Sequence, residues 1–306
     1  AGKRRYGLLA SESSQRWKRR LLDDWIPFDD LDTHTVAMNL QLADLLGVPR
    51  HADVVAAWSD VDVAQARESL PFDPAQQAYA VIHPYPKFNY KMWRLAGWAE
   101  FGNWAAQRGL RVVVTGSSDP AELDYVAQLL ARLPGDSVSV AGRLNLGQVA
   151  WVLHRAALYV GPDTATSHMA AALQVPTVAL FGPSNPVKWA PWPAGCTADK
   201  SPWRRGGSQR VGNVSLVQGT GGPCVPCPCM QEGCERHVAS FSQCLQSMSA
   251  ATVIRAAQTL LETMQAPSEA TQPPSEATRT PLAATGAAPS SIIRAADTPG
   301  PGPTRK

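Results

Sequence analysis

Between residues 78 and 182, short apolar runs alternate with helical segments, and this alternation constrains the fold more than any other feature of the chain. AYAVIHP (78–84), RVVVTG (111–116), SVSVAG (137–142), ALYVG (157–161) and PTVALFG (176–182) read as strands. Residues 92–109, 120–133, 145–156 and 164–174 read as helices; Gly109 closes the first, and a proline opens the second. The strands are mostly continuous apolar runs, as expected where both faces of a sheet are covered. Strand–helix–strand order of this kind predicts a parallel, doubly wound α/β sheet.

The flanks differ. Residues 1–32 segregate their charge, basic first and then acidic, and read as a solvated, irregular surface. THTVAMNLQLADLLGV (33–48) suits an amphipathic helix ending at Gly47. Residues 183–247 read as irregular, and 249–265 as a closing helix. The remainder, 266–306, is rich in Pro, Ser, Ala and Thr and repeats the pentamer PSEAT; it predicts disorder. A net charge of +3 argues against nucleic acid as a partner. No apolar run is long enough to span a bilayer, and the basic start lacks the apolar stretch of a signal peptide, so a cytoplasmic protein is expected.

Three polar, glycine-bearing corners follow successive strands: TGSSDPAE (115–122), VGPDTATSH (160–168) and FGPSNP (181–186). Ligands of open parallel sheets bind at the carboxyl ends of the strands. The middle corner starts a helix near Thr164, so the N–H groups of Ala165, Thr166 and Ser167 face outward as an anion site, with Asp163 or Thr164 able to cap. His168 lies one turn along. Three such corners favour a nucleotide diphosphate. Neither GxGxxG nor GxxxxGK[ST] occurs, so no dehydrogenase fingerprint or P-loop is present.

HPYPKFNYKMW (83–93), VVVTGSSDPAEL (112–123) and AGRLNLGQVAWVLHRAALYVGPDTATSHMAAALQVPTVALFGPSNPVKWAPW (141–192) together resemble glycosyltransferase family 9, the ADP-heptose:lipopolysaccharide heptosyltransferases. The resemblance spans about 78–195 and continues more loosely to 264. It implies the Rossmann-like donor-binding half of a GT-B fold at 74–200, with an N-terminal acceptor domain largely missing and residues 1–73 matching only its last segments and the connection. A Cys-rich irregular segment (201–247) and the helix 248–265 follow. The implied activity is inverting transfer of a heptose from ADP-heptose to a lipopolysaccharide core, without a metal in the chemistry. The implied setting is the inner face of the inner membrane. Alternatives are a protein acceptor, a non-catalytic nucleotide-sugar-binding module, or an assembly module.

By the same resemblance Lys91 contacts the donor phosphate and Glu122 the ribose hydroxyls, while Asp163, Thr164, Ala165, Thr166, Ser167 and His168 form the diphosphate clamp. Two positions depart from the family: Pro162 stands where Asn is common and Ala165 where Gly is common. The family's catalytic aspartate belongs to the acceptor domain. Nothing in the sequence places Asp23, Asp24, Asp29 or Asp30 at the donor, so no base is assigned.

Five of six cysteines crowd between Cys224 and Cys244. Cys224, Cys227, Cys234 and Cys244 could hold one Zn or Fe in a closed, structural four-sulfur site, as the resemblance to some autotransporter heptosyltransferases also implies; free thiols and a disulfide stay open. A homo-oligomer is among the expected partners. Trp189 and Trp192, in PVKWAPW beside the donor corner, leave sugar stacking and loop packing both open.

Overall fold

The computed structural model describes residues 4–10, 13–222 and 227–265. The tail from 266, predicted to be disordered, lies outside the described residues, as does Cys224.

Seven strands form the main sheet: β3 (Tyr79–Ile82), β4 (Arg111–Val114), β5 (Val138–Ser139), β6 (Leu158–Pro162), β7 (Thr177–Phe181), β8 (Gln209–Val211) and β9 (Val214–Gln218). Their spatial order is β5-β4-β3-β6-β7-β9-β8. Every pairing is parallel except β8 with β9. The chain winds outward from β3 to β5, then restarts beside β3 with β6. The carboxyl ends of β3 and β6 therefore flank the topological switch point, where adjacent loops diverge and leave a crevice.

Helices cover both faces. Ile82, Val112, Val114, Leu158, Val160 and Leu180 point to one side, against Trp98, Phe101, Leu129 and Leu260. Those come from α3 (Leu95–Gln107), α4 (Pro120–Leu130) and α9 (Ala250–Gln265). Tyr79, Val81, Val113 and Tyr159 point to the other side, against Ala66, Trp151, Leu153 and Ala170. Those lie on α2 (Asp60–Glu68), α5 (Leu146–His154) and α6 (Ala165–Ala172). Neighbouring strand residues face opposite ways, so two covered faces require apolar residues at every position.

Two regions differ from the sequence expectation. Residues 201–247 are not irregular throughout: β8 and β9 form a hairpin, with Gly212 at φ 54° and Asn213 between them. The Asn213 amide donates to the carbonyls of Ala171 and Val175, both at 2.9 Å, which fastens the hairpin turn to the end of α6. Residues 1–32 are also ordered in part. β1 (Tyr6–Ala10) and β2 (Asp24–Phe28) pair in parallel as a separate two-stranded sheet, packed on α1 (Thr35–Leu46). As expected, Gly47 ends α1 in the left-handed region, φ 65°.

His34 caps α1. Its Nδ1 accepts from the Val36 N–H at 3.1 Å and its Nε2 donates to the Ala190 carbonyl at 2.8 Å. Both nitrogens are used in the neutral ring, and burial drives its pKa down to about 4 against the opposing Ala190 bond.

Candidate functional site

The carboxyl ends of β3, β4 and β6 open on a cleft of about 720 Å³. Lys91, Glu122, Asp163, Thr164 and Ala165 all line it, together with His83 and Ser117. Five of the eight donor-site residues singled out in the sequence therefore converge, although 72 residues separate Lys91 from Asp163.

Glu122 sits in the first turn of α4, 6% exposed. The Ser117 hydroxyl donates to its Oε2, while Oε1 is buried with no hydrogen-bond partner. A buried carboxylate oxygen without a donor is costly, and Glu122 is a buried carboxylate in the wall of this cleft. The Asp119 side chain caps α4, accepting from the N–H groups of Ala121 and Glu122. That cap fixes the turn from which Glu122 projects.

Asp163 ends the strand side of the middle corner, 8% exposed, and pairs with the Lys91 ammonium at 2.6 Å. The capping expectation is corrected here. Thr164 occupies the N-cap of α6, but its side chain accepts from no first-turn backbone N–H. Its hydroxyl instead meets Thr166 Oγ1 at 2.9 Å. The Ser167 N–H is not free either, since it donates to the Thr164 carbonyl at 3.1 Å. Ala165 and Thr166 retain first-turn amides with no protein acceptor among the described residues. The hydroxyls of Thr166 and Ser167 turn inward to the Tyr159 hydroxyl, at 2.9 and 3.0 Å. They brace the turn, leaving its open amides to any ligand.

His168 lies outside the lining of this cleft, close enough to Asp163 and Lys91 to feel their charges. Burial lowers its pKa; Asp163 opposes that shift and Lys91 reinforces it. His83 has its Nδ1 3.1 Å from the Thr115 hydroxyl and is held down to about 4 by burial, so it meets a ligand as a neutral ring. The charge available to an anion is therefore concentrated on Lys91, the exposed Lys87 and the α6 amides.

The third corner, FGPSNP, lines a second cleft of about 450 Å³ that shares Phe88, Lys91 and Asp163 with the first. Asp30, set aside in the sequence, reaches this second cleft and pairs with Lys188. Sequence separation of 158 residues hid that contact. Trp192 is 3% exposed and packs on His34 at 4.7 Å, so its role is packing; Trp189 is 43% exposed in the second cleft.

In the Cys-rich segment, the Cys227 thiol donates to the Gly182 carbonyl at 3.2 Å and lies within hydrogen-bonding reach of Cys244. The Cys234 sulfur accepts from the Gln243 N–H at 3.3 Å. Cys227 and Cys244 thus suit two corners of a thiolate site, and Cys234 neighbours the residue preceding Cys244. No group of three or more metal-binding side chains is assembled among the described residues.

A doubly wound α/β sheet thus carries a carboxylate, a lysine and an open helix start around its switch point, where open sheets of this kind bind ligands. The sequence model of glycosyltransferase family 9 (heptosyltransferase) matches residues 8–202, and the chain belongs to that family. It is 28% identical over 164 residues to lipopolysaccharide heptosyltransferase 3 of Escherichia coli K12, covering 52% of this chain and 47% of that protein. The chain thus spans about half the length of the curated relatives it matches. The solved ADP-heptose lipopolysaccharide heptosyltransferase II of E. coli shares the fold at a TM-score of 0.61, 18% identity, 86% of this chain and 71% of that one. The E. coli heptosyltransferase WaaC, solved with ADP, gives 0.51 at 19% identity, over 79% of this chain and 61% of that one.

Proposed function

We propose that this chain is the donor-binding half of a GT-B heptosyltransferase, and that the whole protein moves a heptose from ADP-heptose to a lipopolysaccharide core sugar with inversion. The buried, unpartnered Oε1 of Glu122 carries this assignment, because the hydroxyls of a ribose are the donors it lacks. With the nucleoside at Glu122, the diphosphate reaches the amides of Ala165 and Thr166, beside Lys91. As the acceptor oxygen bonds to the anomeric carbon, the bond to the diphosphate breaks and its electron pair stays on the departing ADP. Fixed amide donors and a lysine stabilise that growing charge. The hydroxyl proton passes to a base outside the described donor cleft, in keeping with an aspartate of the acceptor domain.

A structural Zn or Fe held by Cys224, Cys227, Cys234 and Cys244 belongs to the same proposal. It would staple a segment with little core of its own and take no part in transfer. No helix among the described residues is long and apolar enough to cross a membrane, which fits a peripheral enzyme at the inner face of the inner membrane.

The test has two stages. Calorimetry on the full chain should give heat with ADP and with ADP-heptose; no heat with either refutes the nucleotide assignment. Incubation with ADP-heptose and deglycosylated core acceptor, followed by mass spectrometry, should then add one heptose. Binding without transfer makes the chain a nucleotide-sugar-binding module.

A further inference from the structure

The second cleft lies beyond the Lys91–Asp163 pair from Ser117 and Glu122, and its composition differs from that of the first. Its two lysines are already matched: Lys91 with Asp163, and Lys188 with Asp30. It also presents aromatic rings, each with an ammonium over one side (Lys87 over Phe88, Lys91 over Tyr90, Lys188 over Trp189), and neutral or acidic hydrogen-bonding groups. Phe88 and Tyr90 stack with centroids 5.5 Å apart and planes 9° from parallel. Trp189 adds an indole that is 43% exposed. Asn185 and Glu232 also line the space.

The exposed indole is held on a rigid support. α7 (Pro186–Trp189) is capped by the Asn185 side chain, which accepts from the Val187 N–H at 3.1 Å and donates to the Leu31 carbonyl at 2.7 Å. The Thr35 hydroxyl donates to the Lys188 carbonyl at 2.9 Å, and His34 holds the Ala190 carbonyl. A large apolar side chain left in water on a turn clamped from four sides is preorganised for a ligand with an apolar face. The opposite boundary comes from the Cys-rich segment. Met230 donates its N–H to the Pro183 carbonyl at 2.9 Å, and Asn89 binds the carbonyls of Val238 and Ala239. These bonds set Met230 and Glu232 against the cleft.

A pyranose matches this surface: its C–H face stacks on aromatic rings, and its hydroxyls suit a carboxylate and amides. We infer that the second cleft binds a sugar of the acceptor glycan, and that the Cys-rich segment supplies one of its walls. The inference rests on the first cleft holding the diphosphate, since in-line displacement puts the attacking hydroxyl on the side away from the leaving group. Beyond Lys91 and Asp163, that side is the second cleft.

Saturation-transfer NMR on the full chain with a phosphate-free, heptose-containing core oligosaccharide tests it, alongside calorimetry with ADP and ADP-heptose. Trp189→Ala should weaken the oligosaccharide about tenfold or more, Trp189→Phe much less, and Glu232→Gln measurably. ADP should bind all three within about twofold of the parent protein. Glu122→Gln should do the reverse, which separates the two clefts. Undiminished oligosaccharide binding by Trp189→Ala and Glu232→Gln, or none by the parent protein, overturns the inference. So does a loss confined to ADP-heptose, which would assign the cleft to the donor's own sugar. Failure of ADP alone would sink the nucleotide assignment and leave the saccharide result to be read by itself.

Discussion

Replacing Glu122 by Gln should weaken nucleotide binding without weakening the fold. The carboxylate is 6% exposed; one oxygen receives the Ser117 hydroxyl and the other receives nothing. Leaving a buried acceptor unpaired costs on the order of 1–3 kcal/mol in the unliganded protein. Glutamine keeps the shape and can still present an oxygen to Ser117. It gives up the favourable charge at the start of α4, worth about 0.3–1 kcal/mol. Its NH2 then takes the position of Oε1, so an unpaired acceptor is exchanged for an unpaired donor, and Tm should stay within about 2–4 °C of the parent protein. Binding should weaken. A hydrogen bond to a charged group exceeds a neutral one by about 1–1.5 kcal/mol, and two ribose hydroxyls make that about 2–3 kcal/mol, or roughly 30- to 150-fold in Kd. Calorimetry with ADP and 2′-deoxy-ADP reads both parts. The deoxy ligand should bind the parent protein more weakly than ADP, and the difference should shrink in Glu122→Gln. A variant that melts several degrees lower and binds ADP normally would show that Glu122 is a structural carboxylate, and the ribose assignment would fall.

Lys91→Met should strand the buried Asp163 charge and cost about 3–5 kcal/mol; adding Asp163→Asn should recover most of that stability in denaturant titrations while ADP binding stays lost. Stability should also fall below neutral pH. His34 is held neutral in the fold, with its pKa lowered from 6.5 to about 4, so the unfolded chain binds the proton first. The contribution is complete above pH 6.5 and is lost as pH falls towards 4, by about 3 kcal/mol for His34 and in the same direction for His83. Urea midpoints between pH 7.5 and 4.5 measure it, and Thr35→Ala should leave the slope unchanged while His34→Gln flattens it. Gly219→Ala should destabilise by more than about 1 kcal/mol, because its Cβ would stand 2.4 Å from the Cys244 carbonyl oxygen, a backbone atom that cannot swing aside.

The sheet was legible because its physics is local. AYAVIHP, RVVVTG, ALYVG and PTVALFG are long enough, and apolar enough on both faces, to admit no other assignment once helices separate them. QRVGNVSLVQ carried a weaker signal, a Gly-Asn turn between two short runs, and was submerged in the surrounding polar residues. β1 and β2 were illegible because each is half-covered and stable only through its partner and α1.

The sequence by itself determined the winding of the sheet, the three polar corners and, through its motifs, the candidate residues Lys91, Glu122 and Asp163. Only the tertiary structure decided what those residues face. It left one oxygen of Glu122 without a partner, turned Thr164 away from capping α6, and separated exposed Trp189 from buried Trp192. It also brought Asp30 across 158 residues to Lys188 beside a second cleft. Strand and helix periods are written in neighbouring residues, whereas burial and pairing depend on surfaces that meet only after the chain has folded.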